Sequence, residues 1–229
     1  MMKMNAAGVP IDFNQEYNYP RVIAFSGKFG SGKDSSANVV AHHVAILIDP
    51  HVDQKVDGII HFTPDGILQL KFADALKEAT AIMTGTSLED QYSDDGKCKV
   101  IPGMDMTIAT FQQVLGTVAR LHIYPDIWIV PVINQCLKDK DDFCIISDCR
   151  FPNEIKAIHA IGGVVIRLNR PWELISEKSK AGRDPQHISE TALDDCLDFD
   201  LIIENDGTQN EHLKHVLDFL SSLSKPVIE

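Results

Sequence analysis

The chain has 229 residues, 44% of them hydrophobic, with 21 Lys and Arg against 33 Asp and Glu and a net charge of −12. That length buries one good-sized core, so a single domain with a mobile subdomain is expected, and the acidic balance excludes a coat for nucleic-acid duplexes, which needs a broad basic surface. No apolar run approaches membrane-spanning length, the N-terminus shows no apolar signal core, and the five scattered cysteines lack zinc-type spacing, so a cytoplasmic protein with reduced thiols and no membrane or nucleic-acid polymer as partner is expected.

Residues 1–20 are polar, carry Pro10 and Pro20, and read as a flexible arm, leaving 21–229 as the domain. The apolar run Val22-Ile23-Ala24-Phe25 predicts a strand, and 33–48 a helix with Ala37, Val40, Ala41, Val44 and Ile48 on one face. Prolines and glycines among charges predict an irregular insertion at 49–66, with a short strand at 58–62. A strand follows at 67–72 and a helix at 73–84, ending near Gly85. The polar stretch 86–106 reads as a loop over a site, followed by helices at 107–121 and 127–138. Phe143-Cys144-Ile145-Ile146-Ser147 is typical of a strand buried on both faces. Pro152 starts the next helix and Gly162-Gly163 ends it. Strands at 164–168 and 201–203, a helix at 171–180 and a final helix complete the pattern, the last with Leu213, Val216, Leu217 and Leu220 on one face. Alternating strands and helices imply an α/β fold, a parallel sheet with helices on both faces.

The stretch Gly27-Lys28-Phe29-Gly30-Ser31-Gly32-Lys33-Asp34-Ser35 lies between the first strand and its helix. Glycines let a backbone curl so that its N–H groups point inward, and a helix N-terminus adds positive partial charge there. Lys33 supplies a cation for outer phosphates. The pattern G-x-x-x-x-G-K-[ST] is met except that Asp34 stands at the Ser/Thr position and Ser35 one later. Binding of ATP or GTP follows, with either Ser35 as magnesium ligand or Asp34 holding the ion through water.

Other constellations sit where an α/β sheet binds ligands, at the carboxyl ends of strands. Asp148-Cys149-Arg150 follows the 143–147 strand, placing Asp148 near a nucleotide metal and Arg150 near a moving phosphate; Cys149 reads as a buried filler. The 107–121 helix divides into a core stripe of Phe111, Val114, Leu115 and Val118 and an opposite arc of Gln112, Gln113, Gly116 and Arg120, which is either a solvated face or a reader of base and phosphate. Arg167, Arg170, Lys178, Lys180 and Arg183 concentrate positive charge around a candidate lid at about 170–190. His187 and Glu190 anchor the far hinge of such a lid or form a local hydrogen bond. Asn205-Asp206-Gly207 is good turn chemistry that also suits a loop bordering a purine.

Taken together, these segments resemble the deoxynucleoside monophosphate kinases of large DNA phages over residues 21–215. Five blocks carry the resemblance: Ser26-Gly27-Lys28 through Lys33-Asp34-Ser35; Lys71-Phe72-Ala73-Asp74-Ala75-Leu76-Lys77; Gln112-Gln113-Val114-Leu115-Gly116-Thr117 with Arg120 and Asp126-Ile127-Trp128; Ser147 through Glu154; and His187-Ile188-Ser189-Glu190 with Glu204-Asn205-Asp206-Gly207. The resemblance implies a P-loop kinase three-layer sandwich with a five-stranded, mostly parallel sheet, a lid, and a helical acceptor-binding insertion at about 73–130. It implies transfer of the ATP γ-phosphate to a deoxynucleoside monophosphate with Mg2+, and a small-molecule nucleotide as partner; kinases of this kind are often homodimers.

By the same resemblance Gly27, Lys28, Phe29, Gly30, Ser31, Gly32, Lys33, Asp34 and Ser35 hold ATP, with Asn205 and Gly207 beside it. Arg150 steadies the moving phosphoryl group, with Arg183 or Arg170 as lid arginine. Ala73, Asp74, Lys77, Gln112, Gly116, Arg120 and Trp128 line the acceptor pocket, and Asp34, Ser35 and Asp148 are the candidate metal ligands. No catalytic base is required, because the acceptor is already a phosphate oxyanion, so neither His122 nor His187 is assigned as one. Animal phosphomevalonate kinases are similar more weakly, with a basic residue where this chain has Phe29. A kinase for phosphomevalonate or dephospho-coenzyme A is therefore the alternative. A non-enzymatic nucleotide switch would carry an Asn-Lys-x-Asp motif, which the chain lacks.

Overall fold

The computed structural model describes residues 20–48, 66–138, 142–175 and 186–223. The expected N-terminal arm, nearly all of the 49–66 insertion with its strand at 58–62, and Lys178, Lys180 and Arg183 of the expected lid lie outside the described residues. In chain order the elements are β1 (Val22–Gly27), α1 (Lys33–Ile48), β2 (Ile67–Leu70), α2 (Asp74–Thr84), α3 (Leu88–Tyr92), α4 (Asp94–Lys97), α5 (Ile108–His122), α6 (Ile129–Lys138), β3 (Phe143–Cys149), α7 (Pro152–Ala160), β4 (Val164–Asn169), a 3-10 turn (Trp172–Leu174), α8 (Ile188–Thr191), β5 (Leu201–Glu204) and α9 (Gln209–Leu223). They fall into two compact units, one of residues up to 70 and from 136 onward, the other of residues 71–135.

The first unit is built on a five-stranded sheet of order β2-β3-β1-β4-β5, and every pairing in it is parallel. Strands covered on both faces need apolar residues at every position, which is why β1 and β3 are continuous hydrophobic runs. Alternate residues serve opposite faces. Ile23 and Phe25 of β1, Phe143 and Ile145 of β3, and Ile166 and Leu168 of β4 pack against Ala37, Val40, Ala41 and Val44 of α1 and Val216 and Leu220 of α9. Ala24, Cys144, Ile146 and Val165, on the other face, are equally buried, as are Ile155 and Ile158 of α7. Of the expected apolar face of α1, Ala37, Val40, Ala41 and Val44 are buried. The second strand stops at Leu70, two residues short of expectation, because the Lys71 N–H turns away to the Asp74 carboxylate (3.1 Å) at the start of α2. Of the helix expected at 171–180, the described residues form a single 3-10 turn closed by the Leu174 N–H on Pro171 O (3.1 Å).

The second unit is helical and corrects two expectations. The stretch 86–106 is not a plain loop, since it contains α3 and α4. Each starts at a serine whose hydroxyl caps the helix: Ser87 Oγ accepts from Asp90 N–H (3.2 Å) and Ser93 Oγ from Gly96 N–H (3.0 Å), with acidic residues in both first turns. On α5 the expected core stripe is half wrong: Phe111 and Leu115 are half-buried, but its two valines are not. Val114 and Val118 are 52% and 45% exposed, whereas Ile108 and Ala119 are buried and Gln112, Leu115 and Gly116 half-buried between them. The reason is close approach of α2: a Cβ on Gly116 would stand 3.1 Å from Leu76 Cδ2. Small residues, not the largest ones, face the neighbour.

Candidate active site

The loop after β1 owes its shape to two glycines. Gly27 sits at φ +151°, and a Cβ there would lie 2.5 Å from the Leu168 carbonyl oxygen; Gly32, at φ +98°, would press a Cβ to 2.9 Å from Asn205 Nδ2. The turn is braced from outside, since Asn205 Nδ2, just past β5, donates to Ser31 O (2.9 Å). It is continued into α1 by the N–H and hydroxyl of Ser36, both on Gly32 O (2.9 and 3.0 Å), while His212 Nε2 lies 2.6 Å from the same hydroxyl. Lys33 opens α1 and folds back. Its ammonium donates to Gly27 O and Lys28 O, both at 2.7 Å, with Ser31 Oγ at 3.5 Å. An ammonium has three N–H groups, and two are thus committed to the loop itself. Burial, then the neighbouring Arg150 charge, pushes the Lys33 pKa down to about 7 against the opposing pull of Glu190, Asp34 and Asp148.

Arg150 leaves the end of β3. Its backbone N–H and that of Phe151 donate to the buried carboxylate of Glu154 on α7 (2.7 and 3.1 Å). Its guanidinium donates to Ser189 O (3.2 Å) and pairs with Glu190, and the other Glu190 oxygen accepts the Phe29 N–H of the glycine loop (2.7 Å). One carboxylate therefore ties Arg150 to the loop. A second, Asp194, pairs with Lys28 (2.8 Å) and reaches Arg167 (3.7 Å), itself buried on β4 and donating to Ser26 Oγ (3.2 Å). Glu190 is thus bonded to the site, while His187 Nδ1 lies 2.9 Å from Ser189 Oγ, a local hydrogen bond.

Ser147 Oγ donates to Asp34 Oδ1 (3.0 Å), which draws Asp34 to the end of β3 beside Asp148. Asp34 and Ser35 are exposed and Asp148 is half-buried. This all-oxygen set suits a hard divalent cation such as magnesium, which takes one or two carboxylates and leaves its remaining positions to phosphates and water. Among the described residues no group of three or more His, Cys, Asp and Glu forms a dedicated metal cage. Cys149 is fully buried, and desolvation raises its thiol pKa well above the usual range, as befits a filler. Arg170, past β4, lines a hollow of about 390 Å³ with Lys28, Arg167, Asn169 and Glu204. Gly207 is exposed in the turn after Asn205.

The remaining expected residues belong to the second unit. Ala73 precedes α2. Asp74 Oδ1 accepts the Tyr92 hydroxyl (2.7 Å), and the Lys77 ammonium lies 3.9 Å from the centre of the Tyr92 ring. Gln112, Gly116 and Arg120 share the inward side of α5, and the buried Trp128 donates its indole N–H to Gly116 O (3.2 Å). Sequence reasoning misses Asp194, Glu154 and Gln91 as partners of these groups. Glu154 had a signal, a carboxylate at the third position after Phe151 with Pro152 between, the pattern of a helix start.

A parallel sheet whose central strand runs through a glycine loop into a helix headed by lysine is a P-loop fold of the kinase type. Residues 67–216 match the family model described as deoxynucleotide monophosphate kinase, and the chain belongs to that family. Family membership makes it a phosphotransferase for small molecules. No curated protein matches the chain in sequence. Solved structures with some likeness include a gluconokinase from Sinorhizobium meliloti 1021 (13% identity, 90% of this chain and 94% of that one, TM-score 0.47). A dephospho-CoA kinase from Campylobacter jejuni (16%, 89% and 97%, TM-score 0.41) and the Mycobacterium tuberculosis APS kinase in complex with AMPPNP and APS (16%, 88% and 98%, TM-score 0.39) are further examples. Likeness this distant says nothing of what this chain binds. No helix of the described residues is long and apolar enough to cross a membrane.

Proposed function

We propose that the protein transfers the γ-phosphate of ATP to a deoxynucleoside monophosphate, giving ADP and a deoxynucleoside diphosphate. The observation that carries this reading is the family match across 67–216, which takes in the Arg150 block and the whole helical unit. The glycine loop supports ATP as donor: two of the Lys33 N–H groups are held at 2.7 Å by Gly27 O and Lys28 O, and the third, on Ser31 Oγ only at 3.5 Å, is the one a phosphate oxygen would take over. Residues 27–35 cradle the polyphosphate, and Asn205 and Gly207 border the nucleoside. Arg150, held by Glu154 and Glu190, meets the charge that develops on the transferred group, and Arg183 or Arg170 is the lid arginine. Asp34, Ser35 and Asp148 would hold magnesium, which would supply charge neutralisation for the phosphates. Ala73, Asp74, Lys77, Gln112, Gly116, Arg120 and Trp128, all in the 71–135 unit, take the acceptor.

The acceptor oxygen is anionic at neutral pH, so nothing needs to remove a proton from it. Rate enhancement comes from alignment and fixed positive charge. The reading is tested by ADP release with ATP and each of the eight common ribo- and deoxynucleoside monophosphates. Turnover with at least one deoxynucleotide is expected, and Lys33→Ala should lose most of it while keeping its circular dichroism spectrum. Turnover with phosphomevalonate or dephospho-coenzyme A and with no nucleotide would overturn it.

A further inference from the structure

The second unit contains a chain of hydrogen bonds whose direction is fixed link by link. Thr84 Oγ1 lies 2.7 Å from Thr80 O, and a carbonyl oxygen can only accept, so the single hydroxyl hydrogen of Thr84 goes there. The 2.7 Å contact between Thr84 and Thr86 must then be donated by Thr86. With its hydrogen spent, Thr86 Oγ1 accepts from the Gln91 side-chain nitrogen (2.7 Å), and Ser87 O accepts from that nitrogen as well (3.3 Å). Gln91 is fully buried, so its carbonyl oxygen is forced toward α5, where it receives Gln112 Nε2 (2.8 Å). The Gln112 amide is therefore held with its nitrogen inward. Its Oε1 makes no hydrogen bond among the described residues. A free glutamine amide presents donor or acceptor at will by turning over; this one has lost that choice.

We propose that Gln91 is a positioning residue for base selection. By pinning Gln112 it makes the acceptor pocket present a hydrogen-bond acceptor, so that the favoured monophosphate is one whose base offers an N–H, either a ring imino group or an exocyclic amine, to Gln112 Oε1. The inference rests on the reading above that Gln112 lines the acceptor pocket, and it adds the polarity of what that pocket reads. A site that holds an unpartnered acceptor rejects a guest without a donor, because its own polar atom is then left dry.

The test takes the best natural deoxynucleotide from the ADP-release screen and the donor-free nucleotide of the same ring size. These are deoxynebularine 5′-monophosphate for a purine and deoxyzebularine 5′-monophosphate for a pyrimidine. In the wild type the donor-free compound should lose about tenfold in kcat/KM, the scale of one hydrogen bond. In Gln91→Met, where Gln112 is free to turn, that gap should shrink to within about twofold while the KM for ATP stays put. Should Gln91→Met fail to fold, Gln91→Leu removes the same amide and should narrow the gap in the same direction. A merely structural Gln91 would change melting temperature and leave the ratio alone. Equal use of both nucleotides by the wild type, or an unaltered ratio in a folded variant, overturns the proposal. Absence of turnover with every natural deoxynucleotide is a different result, because it removes the substrate reading before any two bases are compared, and the base-selection proposal with it.

Discussion

Burying Lys33 inside its own loop takes an ammonium out of water, and the Arg150 charge nearby adds to the cost, so its pKa stands near 7 rather than at the usual lysine value. Below pH 7 folded and unfolded chains both carry this proton, and the full cost of burial applies. As pH rises from about 7 toward the ordinary lysine range, the unfolded chain keeps a proton that the folded one has released, so the stability of the empty protein rises through that window. Phosphates favour the ammonium, so ATP binding at pH 8 should be accompanied by proton uptake, and affinity should fall as pH climbs past 7. Calorimetric titration in buffers of different ionisation heat measures the uptake; binding with none, or equal uptake in Lys33→Ala, would contradict it. Arg150→Ala should lower kcat by about 10²-fold, the scale of one lost preorganised charge contact. Glu190→Gln should lower kcat less, and the double variant no further than Arg150→Ala, because both changes undo one arrangement. An effect of Arg150→Ala confined to the KM for ATP would remove it from the transferred group.

Elements differ in how openly the sequence declares them. β1 and β3 are legible because burial on both faces fills Val22–Phe25 and Phe143–Ile146 with apolar residues, and the glycine loop because a φ of +151° beside a carbonyl oxygen admits no side chain. Gly27→Ala should therefore cost about 1–3 kcal/mol in denaturant unfolding and abolish nucleotide binding, since the obstructing Leu168 oxygen is backbone and cannot swing aside. A variant as stable as wild type would show that the loop relaxes. α5 is the opposite case. Its less exposed residues include the polar Gln112 and Arg120 beside Gly116 and Ala119, and its most exposed include Val114, Val118 and Leu121, so a stripe drawn by hydrophobicity mixes inward and solvent-facing positions. Gln91 is hidden for a related reason. It is a buried polar residue in a stretch rich in Ser, Asp and Lys, and only its hydrogen-bond partners distinguish it from the exposed residues around it.

At the scale of the molecule, the parallel sheet and the phosphate-binding loop follow from alternation and motif, but the partners that complete the site come from far along the chain. Glu190 lies 161 residues beyond Phe29 and Asp194 166 residues beyond Lys28, separations over which a single sequence holds no pairing signal. A ligand that binds the folded form alone stabilises it by mass action, about 2.7 kcal/mol at a hundredfold excess over its Kd. Saturating ATP with magnesium should raise the melting temperature of the wild type. Lys33→Ala should show no such rise, and a chelator should reduce it; an equal rise in the variant would place nucleotide binding elsewhere. The brace on the loop has a further consequence for biosynthesis. Asn205, which steadies Ser31, is encoded 174 codons after it. A ribosome will have made the phosphate cradle long before its keeper, so the nascent chain stays blind to nucleotide until residue 205 has been added, and a nonsense mutation upstream of codon 205 leaves the cradle permanently unbraced.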